Sequence, residues 1–260
     1  MEFTRSKEGI FIVADDLGLS PGINEGIVYL LKNSFISGAS LMANGMAFDD
    51  AVRRCSEIGF LNIGVHLVLV EEKPLVLKTF PKDHRVFFFK YILGLIRKND
   101  IEKELEAQIN KCLKAQINLR FINSHQHLHL LPGIMDIIIS LAKKYEIPYI
   151  RIVNEPLNTA GGPLRKAQLV FLNFLSGIAK KMIIRSGLRC NDFFVGFINA
   201  GNLSEKDIES VKELSDKYPD RIIELGCHPG FENEELKMQY NNWGNYNWRK
   251  ELRLLSSWHD

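Results

Sequence analysis

The sequence has few cysteines, and they are too far apart to support a disulfide scaffold. The four, Cys55, Cys112, Cys190 and Cys227, contain no CxxC pair. This spacing excludes the common zinc-finger and dithiol redox motifs. Reduced thiols are the simplest interpretation, and they predict a cytoplasmic protein.

An excess of charge of either sign is also missing. The 33 Lys and Arg residues against 31 Asp and Glu residues give a formal net charge of +2, which is too balanced for a protein that binds nucleic acid by neutralising phosphates. Met1–Gly9 is polar and predicts no secretory signal. No apolar run reaches the roughly 18 residues of a spanning helix. A chain of 260 residues with 46% hydrophobic residues is therefore expected to form one globular domain, residues 1–260.

Short strand-like runs alternate with longer helical patterns along the chain. Helix start signals support the division, since Ser20 and Pro21 can open one helix and Ser204 with Asp207 can form a capping box for another. Seven strands are predicted: Gly9–Ala14, Ile36–Met42, Asn62–Val70, Arg120–Ser124, Pro148–Val153, Asp192–Phe197 and Arg221–Cys227. Seven strand-then-helix units favour a parallel α/β sheet, either doubly wound or closed as a (β/α) barrel.

Aspartate and histidine residues cluster where the predicted strands end. Asp15 and Asp16 follow the first strand, His66 lies near the end of the third, and His228 follows the seventh. The carboxyl ends of parallel strands lie on one face, where ligands and catalytic groups collect. These side chains are therefore expected to converge. Cys227, at the end of the last strand, is interpreted as a small buried residue rather than a zinc ligand.

Three more histidines, His125, His127 and His129, occupy alternate positions after the fourth strand. In extended backbone their imidazoles would project to the same side. A lone histidine in a polar barrel mouth most often just bonds to backbone, whereas a cluster that shares its rim with two aspartates favours a metal or catalytic role. One carboxylate and two imidazoles would leave coordination positions open for water and substrate.

Five segments carry a more specific signal because they occur together and in order from about Gly9 to the C-terminus. They are IVADDLGLSPGINEGI (Ile12–Ile27), SLMANGMAFDDAV (Ser40–Val52), GVHLVL (Gly64–Leu69), NSHQHLHLLPG (Asn123–Gly133) and ELGCHPG (Glu224–Gly230). As a set they resemble the YdjC-like carbohydrate deacetylases, a family that includes chito-oligosaccharide deacetylases. The segment from Arg151 through Phe197 is most similar to the hopanoid-associated branch, whose substrate is considered to be a lipid-linked N-acetylglucosamine.

The resemblance implies a TIM-barrel-like (β/α) barrel and a divalent metal ion held by Asp16, His66 and His125. It also implies that Asp15 is the catalytic base and His228 the acid, two roles that rest partly on analogy with polysaccharide deacetylases. Magnesium is the ion usually attached to the family, although two imidazoles and a carboxylate suit zinc better. Both ions are therefore kept.

The resemblance further implies an acetylated amino-sugar substrate, contacted by His127, His129, Asn44 and Pro229, and a homodimer. Asn123-Ser124 departs from the family, which often has Asp or Gly before the first histidine of this motif. Because an amide carries no charge, metal affinity or preference is expected to differ. Relatives also continue into a final strand beyond the position of Asp260, which predicts an incompletely closed barrel.

Two apolar stretches leave an alternative open. Arg85–Arg97 and Leu164–Arg185 carry many bulky apolar residues interrupted by Lys and Arg. They are interpreted first as barrel helices that bury one face, and second as an amphipathic surface that lies on a membrane.

Two rival functions also remain at this stage. One is another metal-dependent hydrolase on the same scaffold, such as a phosphoesterase, which usually gathers ligands around two metals. The other is a non-catalytic carbohydrate-binding protein, which would not need Asp15, Asp16 and His228 together.

Overall fold

The computed structural model describes residues 9–59, 62–157, 161–244 and 246–258. Its centre is a sheet of six parallel strands in the order β4-β3-β2-β1-β6-β5. The strands are β1 (Ile10–Leu17), β2 (Gly38–Leu41), β3 (Ile63–Leu67), β4 (Ile122–Ser124), β5 (Phe193–Val195) and β6 (Ile223–Cys227). The α-helices of the described residues are α1 (Pro21–Lys32), α2 (Phe48–Glu57), α3 (His84–Ile92), α4 (Lys98–Lys114), α5 (Ile134–Lys144), α6 (Pro163–Arg185), α7 (Glu205–Lys217), α8 (Glu234–Gln239) and α9 (Trp248–Ser257).

The strand order decides between the two sheet architectures. Following the sheet from β1, the chain adds β2, β3 and β4 on one side and β6 and β5 on the other, which is the order of a barrel opened between β4 and β5. All eight residues of the central strand β1 are buried, as expected for a strand covered on both faces. The sheet is a curled half-barrel, so the predicted incompletely closed (β/α) barrel is confirmed.

The prediction of a regular strand over Pro148–Val153 is wrong, because this segment does not form a continuous hydrogen-bonded ladder with a neighbouring strand. This segment makes only isolated bridges in the space between β4 and β5. Asn191 bonds to both backbone groups of Ile152, at 2.8 Å each, and Ser176 does the same for Val153 at 2.9 and 2.8 Å. Side chains thus take the backbone partners that a neighbouring strand would otherwise supply.

Asp15 and Asp16 lie inside β1 rather than after it. The pairing of β1 with β2 shifts register between Ala14 and Leu17, and Asp16 has a φ of 63°. A bulge of this kind bends a strand and redirects its side chains. The two neighbouring carboxylates therefore have different partners.

The extended conformation predicted for the three-histidine motif is wrong. Residues His125–Leu130 form a short 3-10 helix, and Gln126 and His127 have φ angles of 54° and 53°. The side chains of alternate positions consequently do not share one direction, because that rule applies only to extended backbone.

The helix start signals are confirmed. The Ser20 side chain accepts a hydrogen bond from the backbone N–H of Ile23, and Pro21 is the first residue of α1. Ser204 and Asp207 form the predicted capping box at the start of α7. Local side-chain chemistry fixes these ends, which is why the sequence alone locates them.

Helices α3 and α6 bury little apolar surface. Phe87 is the buried residue of α3, and α6 buries Leu169, Leu175, Ser176, Ala179 and Ile183 among the described residues. By length and composition alone, α6 is apolar enough to cross a membrane, with 33% of its most apolar window buried. The interpretation of both stretches as helices that bury an apolar face therefore accounts for only part of their apolar residues.

Candidate metal centre and active site

Three of the predicted residues meet at the carboxyl ends of the strands. The Nε2 atom of His66 lies 3.3 Å from Oδ1 of Asp16, and Nδ1 of His125 lies 3.5 Å from the same oxygen. All three side chains are buried, and one ligand atom from each lies within 4.8 Å of the others. Asp16, His66 and His125 are thus brought together as the sequence analysis expected.

The oxygen and nitrogen atoms that face one another in this cluster are suited to bind a cation. Both carboxylate oxygens of Asp16 and Nε2 of His66 are buried without a hydrogen-bond partner among the described residues. Burial opposes ionisation of Asp16, but the neighbouring His125 and His66 outweigh it and hold its pKa well below the usual value. An ionised carboxylate is costly to bury unless a charge balances it. A divalent metal ion would satisfy the three atoms at once.

Asn123 fixes the orientation of His66. Its Nδ2 donates to Oδ1 of Asp15 at 2.9 Å, which turns its Oδ1 toward Nδ1 of His66 at 2.8 Å. Because an amide oxygen can only accept, Nδ1 of His66 carries a proton, and Nε2 is the nitrogen that faces Asp16 and is placed to bind a metal. The amide therefore does the orienting work that a charged residue would do at this position.

His125 is oriented by Glu71, a residue that the sequence analysis missed. Oε2 of Glu71 accepts from Nε2 of His125 at 2.8 Å, which leaves Nδ1 to face Asp16. Burial lowers the pKa of His125, but Asp16 and Glu71 together raise it to about 10. Glu71 has a φ of 72° and lies in a loop, so neither periodicity nor a motif marks it in the sequence.

Asp15 is held as an anion. Its Oδ1 accepts from Ser40 at 2.7 Å, from Asn123 at 2.9 Å and from Nη2 of Arg151 at 3.0 Å. Its Oδ2 accepts from Nη1 of Arg151 at 2.5 Å. Burial opposes ionisation, but the Arg151 guanidinium outweighs it and holds the pKa of Asp15 well below its usual range. Oδ2 has fewer donors than Oδ1 and keeps a lone pair for a further proton.

Arg151 balances a second buried carboxylate, that of Glu224 in β6. Its Nε donates to Oε1 of Glu224, and the hydroxyl of Tyr149 donates to Oε2 at 2.7 Å. Arg151 is fully buried, with 0% of its surface exposed. The sequence analysis missed this network. One feature of the sequence could have indicated the network, because Glu224 is a carboxylate inside a strand predicted to be buried.

His228 follows β6, as predicted. Its backbone N–H donates to Oε2 of Glu251 at 2.5 Å, which fixes the chain as it leaves the strand, and its ring packs edge-on against Tyr246 with centroids 5.1 Å apart. Burial lowers the pKa of His228 although Asp16 and Asp15 oppose this. Its Nδ1 has no hydrogen-bond partner among the described residues.

The two remaining histidines of the motif have different surroundings. Both ring nitrogens of His129 are used inside the protein, Nδ1 with Ser124 at 2.6 Å and Nε2 with the Arg151 carbonyl at 2.8 Å. The predicted substrate contact through His129 therefore does not fit, because no nitrogen is free. His127 packs against Phe194 and Phe197 with centroids 5.8 Å away in each case, and its Nδ1 is without a partner in the described part of the chain.

Asn44 lines a cavity of about 360 Å³ beside the cluster, together with Glu71, Tyr240 and Trp243. Its Nδ2 donates to the Lys73 carbonyl at 3.0 Å, and its Oδ1 has no partner among the described residues. Trp243 lies against His125, with ring centroids 4.7 Å apart. The groove thus combines an aromatic face and a free acceptor next to the cluster.

Pro229 is buried directly after His228. As proline lacks an N–H group, only its carbonyl and ring could contact a ligand.

Several known proteins are similar to this chain over most of its length. Residues 9–259 match the sequence model of a family described as YdjC-like protein. A carbohydrate deacetylase from Brevibacillus brevis is 29% identical over 87% of this chain and 83% of its own length. One from Vibrio parahaemolyticus is 28% identical over 93% and 84%.

Two further proteins are similar to this chain, one in sequence over 53% of its length and one in structure over 96%. A carbohydrate deacetylase from Oceanobacillus iheyensis is 32% identical over 53% of this chain, and this match covers 62% of the length of that relative. A crystal structure from Enterococcus faecalis V583, described as a candidate cellobiose-phosphate cleavage protein, covers 96% of this chain and 91% of its own with a TM-score of 0.71 at 20% identity. That likeness shows the fold.

Proposed function

Because the chain belongs to the YdjC-like family, which its match over residues 9–259 shows, we propose that it removes the N-acetyl group from an acetylated amino sugar in a metal-dependent hydrolysis that releases acetate. The resemblance inferred from the motifs is confirmed. The relatives named above are carbohydrate deacetylases, so the expectation of an enzyme is confirmed as well.

One observation carries the proposal. The two carboxylate oxygens of Asp16 and Nε2 of His66, which have no hydrogen-bond partner among the described residues, lie next to an anionic Asp15 that Arg151 holds in place. Amide hydrolysis needs an electrophile to polarise the carbonyl and a base to activate water. A metal ion and Asp15 would supply these two elements side by side.

Asp16, His66 and His125 would hold the metal. Such an ion, when bound, polarises the acetyl carbonyl and lowers the pKa of a water molecule. Two nitrogens and one oxygen favour zinc over magnesium on ligand chemistry alone, while the family resemblance favours magnesium. The proposal covers both ions.

The proton transfers are assigned to Asp15 and His228. Oδ2 of Asp15 accepts a proton from the attacking water, because this oxygen keeps a lone pair that Arg151 does not use. His228 delivers a proton to the sugar nitrogen as the bond to the acetyl carbon breaks. Since burial lowers its pKa, His228 is neutral at rest and must gain that proton during turnover. The proton that Asp15 accepts from the water passes to His228, which delivers it to the sugar nitrogen, so both side chains return to their starting states after each cycle.

Sugar binding is assigned to the groove beside the cluster. The free Oδ1 of Asn44 would accept a hydrogen bond from a sugar hydroxyl, and the Trp243 ring offers an apolar face for a pyranose. Pro229 lies beside the acid at the same end of the sheet. His127 would face the substrate through its free Nδ1, and we leave His129 out of the substrate contacts.

Several expectations stay predictions. These predictions are that the substrate is a chito-oligosaccharide or a lipid-linked N-acetylglucosamine and that the protein is a cytoplasmic homodimer. The described residues contain one cluster of three metal-binding side chains, which supports a deacetylase over a two-metal phosphoesterase. Sedimentation velocity of the purified protein would test the homodimer.

Acetate release tests the proposal. Protein stripped with a chelator and resupplied with zinc, magnesium or manganese would be assayed on N,N′-diacetylchitobiose and on a lipid-linked N-acetylglucosamine. We expect acetate from at least one substrate only after metal is restored. Acetate release that is independent of metal would contradict the assigned site. Binding of both sugars without any acetate would instead favour the carbohydrate-binding alternative.

A further inference from the structure

Helices α3 and α6 display a large apolar surface to solvent. On α6, Phe171, Phe174 and Ile178 recur at intervals of three and four residues and share one face, and Phe174 is 65% exposed. The residues that make up this α3/α6 face are Val86, Phe89, Ile92, Leu93, Leu95, Leu164, Val170, Phe171, Phe174, Ile178 and Ile184, all exposed. Large exposed apolar patches are typical of interaction sites on protein surfaces.

The two helices lie side by side. The rings of Phe88 in α3 and Phe171 in α6 meet edge-on with centroids 5.9 Å apart. A cleft of about 440 Å³ runs between them, and its lining includes Phe89, Phe171 and, at its inner wall, His127. Phe89 of α3 and Phe171 of α6, both part of the α3/α6 face, therefore border the same cleft.

The charged side chains within the two segments that form the α3/α6 face are all basic. No acidic residue occurs from His84 to Asn99 or from Gly161 to Arg189. The exposed cations of these two segments are Arg85, Lys90, Arg97, Lys98, Lys166, Lys181, Arg185 and Arg189. The chain as a whole is nearly neutral, at +2, so this distribution is specific to the two segments.

We propose that the α3/α6 face docks on the surface of an anionic lipid bilayer. Exposed aromatic and aliphatic side chains would enter the boundary between headgroups and acyl chains, and the surrounding Lys and Arg would contact the lipid phosphates. A second copy of the chain fits less well, because a symmetric interface through this face would bring its cations against one another. The docking is independent of the hydrolytic reaction, although it would place the cleft that leads to His127 at the membrane surface.

Co-sedimentation of the full chain with vesicles tests the proposal. Vesicles of phosphatidylcholine alone would be compared with vesicles that contain about 30% phosphatidylglycerol, at low and high salt. We expect at least tenfold stronger partitioning to the anionic vesicles and a decrease with salt, since screening weakens the attraction. The double variant Phe89→Glu, Phe174→Glu should lose at least tenfold of this binding.

The control is Met238→Glu on α8, a residue of similar exposure at 69%, which should bind vesicles like the unchanged protein. Absence of sedimentation with either vesicle type would overturn the proposal, and so would equal losses in the control and the double variant. A dimer that the double variant converts to a monomer, without any vesicle binding, would assign the face to a second copy instead. Because these measurements use no substrate, their failure is distinct from a failure of the proposed deacetylation.

Discussion

Arg151 donates two parallel hydrogen bonds to Asp15, from Nη1 to Oδ2 at 2.5 Å and from Nη2 to Oδ1 at 3.0 Å. A guanidinium matches a carboxylate in this bidentate geometry and fixes both its charge and its orientation. The pair is fully enclosed, so its charges are weakly screened. Asp15 is thus restrained beside Asp16, which has no such partner and faces the two imidazoles.

Replacement of Asp15 by asparagine tests its role as base. Asp15→Asn removes the proton-accepting oxygen, and we expect acetate release to fall by roughly 10²–10⁴-fold, the usual contribution of a general base. Metal content should stay unchanged, because Asp15 is not among the three ligands. Rates and metal content of the same preparation would be measured together. A variant with normal metal content and unchanged turnover would refute the assignment.

Only one histidine of the three-histidine motif is expected to bind the metal. Elemental analysis of the unchanged protein should give one ion per chain, and His125→Asn should lose it. His127→Asn is the matched control and should retain it, since His127 packs among Phe194 and Phe197. Glu71→Gln should weaken metal affinity by roughly 10–100-fold, because it disturbs the residue that orients His125. Retention of the ion by His125→Asn together with its loss from His127→Asn would reverse the assignment.

Asn123 is expected to suit this chain better than the aspartate common in its family. Asn123→Asp would replace the donor that bonds to Asp15 at 2.9 Å by a second carboxylate, leaving a repulsive contact in a buried site. We expect the metal-free variant to lose about 1–3 kcal/mol of unfolding free energy. Urea unfolding at neutral pH measures this loss. Equal or higher stability of Asn123→Asp would show that the amide is not needed to pair with Asp15.

The barrel architecture and the convergence of three candidate ligands could be predicted from the sequence together with the family resemblance. The reason is physical, because buried parallel strands read as apolar runs and their carboxyl ends must share a face. Asp16, His66 and His125 could thus be placed together from strand positions and the family resemblance. Capping residues such as Ser20 and Ser204 were equally predictable, since their hydrogen bonds are local.

The parts that sequence analysis missed depend on contacts between distant segments. Glu71 and Arg151 reach the site from a loop and from a segment without a regular ladder, and nothing in their sequence neighbours marks a partner. The turn at Gln126 and His127 was also missed, because non-glycine residues rarely adopt a positive φ and no local signal predicts it. Strand positions and the family resemblance indicated the candidate metal ligands, whereas the residues that orient them became visible only in three dimensions.

Glu155 should make the protein less stable as the pH rises. Its side chain is 1% exposed, and burial raises its pKa from 4.5 to about 7 although the backbone N–H groups of Phe197 and Ile198 oppose this. Between these two values the unfolded chain has lost the proton that the folded chain keeps, so unfolding free energy falls with increasing pH. The difference between a pKa of 4.5 and one of about 7 corresponds to roughly 3 kcal/mol of unfolding free energy.

Glu155→Gln removes this ionisation while keeping a similar shape. The glutamine amide nitrogen cannot accept one of the two backbone N–H bonds that the carboxylate accepts, so the variant is compared with the unchanged protein by its change with pH. We expect the unchanged protein to lose about 1–3 kcal/mol more unfolding free energy than the variant between pH 5 and pH 8, as measured by urea unfolding at both values. Glu251 has a similarly raised pKa, about 7, so part of the pH dependence should remain in the variant. Glu235→Gln on α8 is the control, because that side chain is exposed and its replacement should leave the pH dependence as it is. If Glu155→Gln and the control lost the same unfolding free energy between pH 5 and pH 8, ionisation of Glu155 could not be what weakens the fold, because the two substitutions remove the same group and differ mainly in burial.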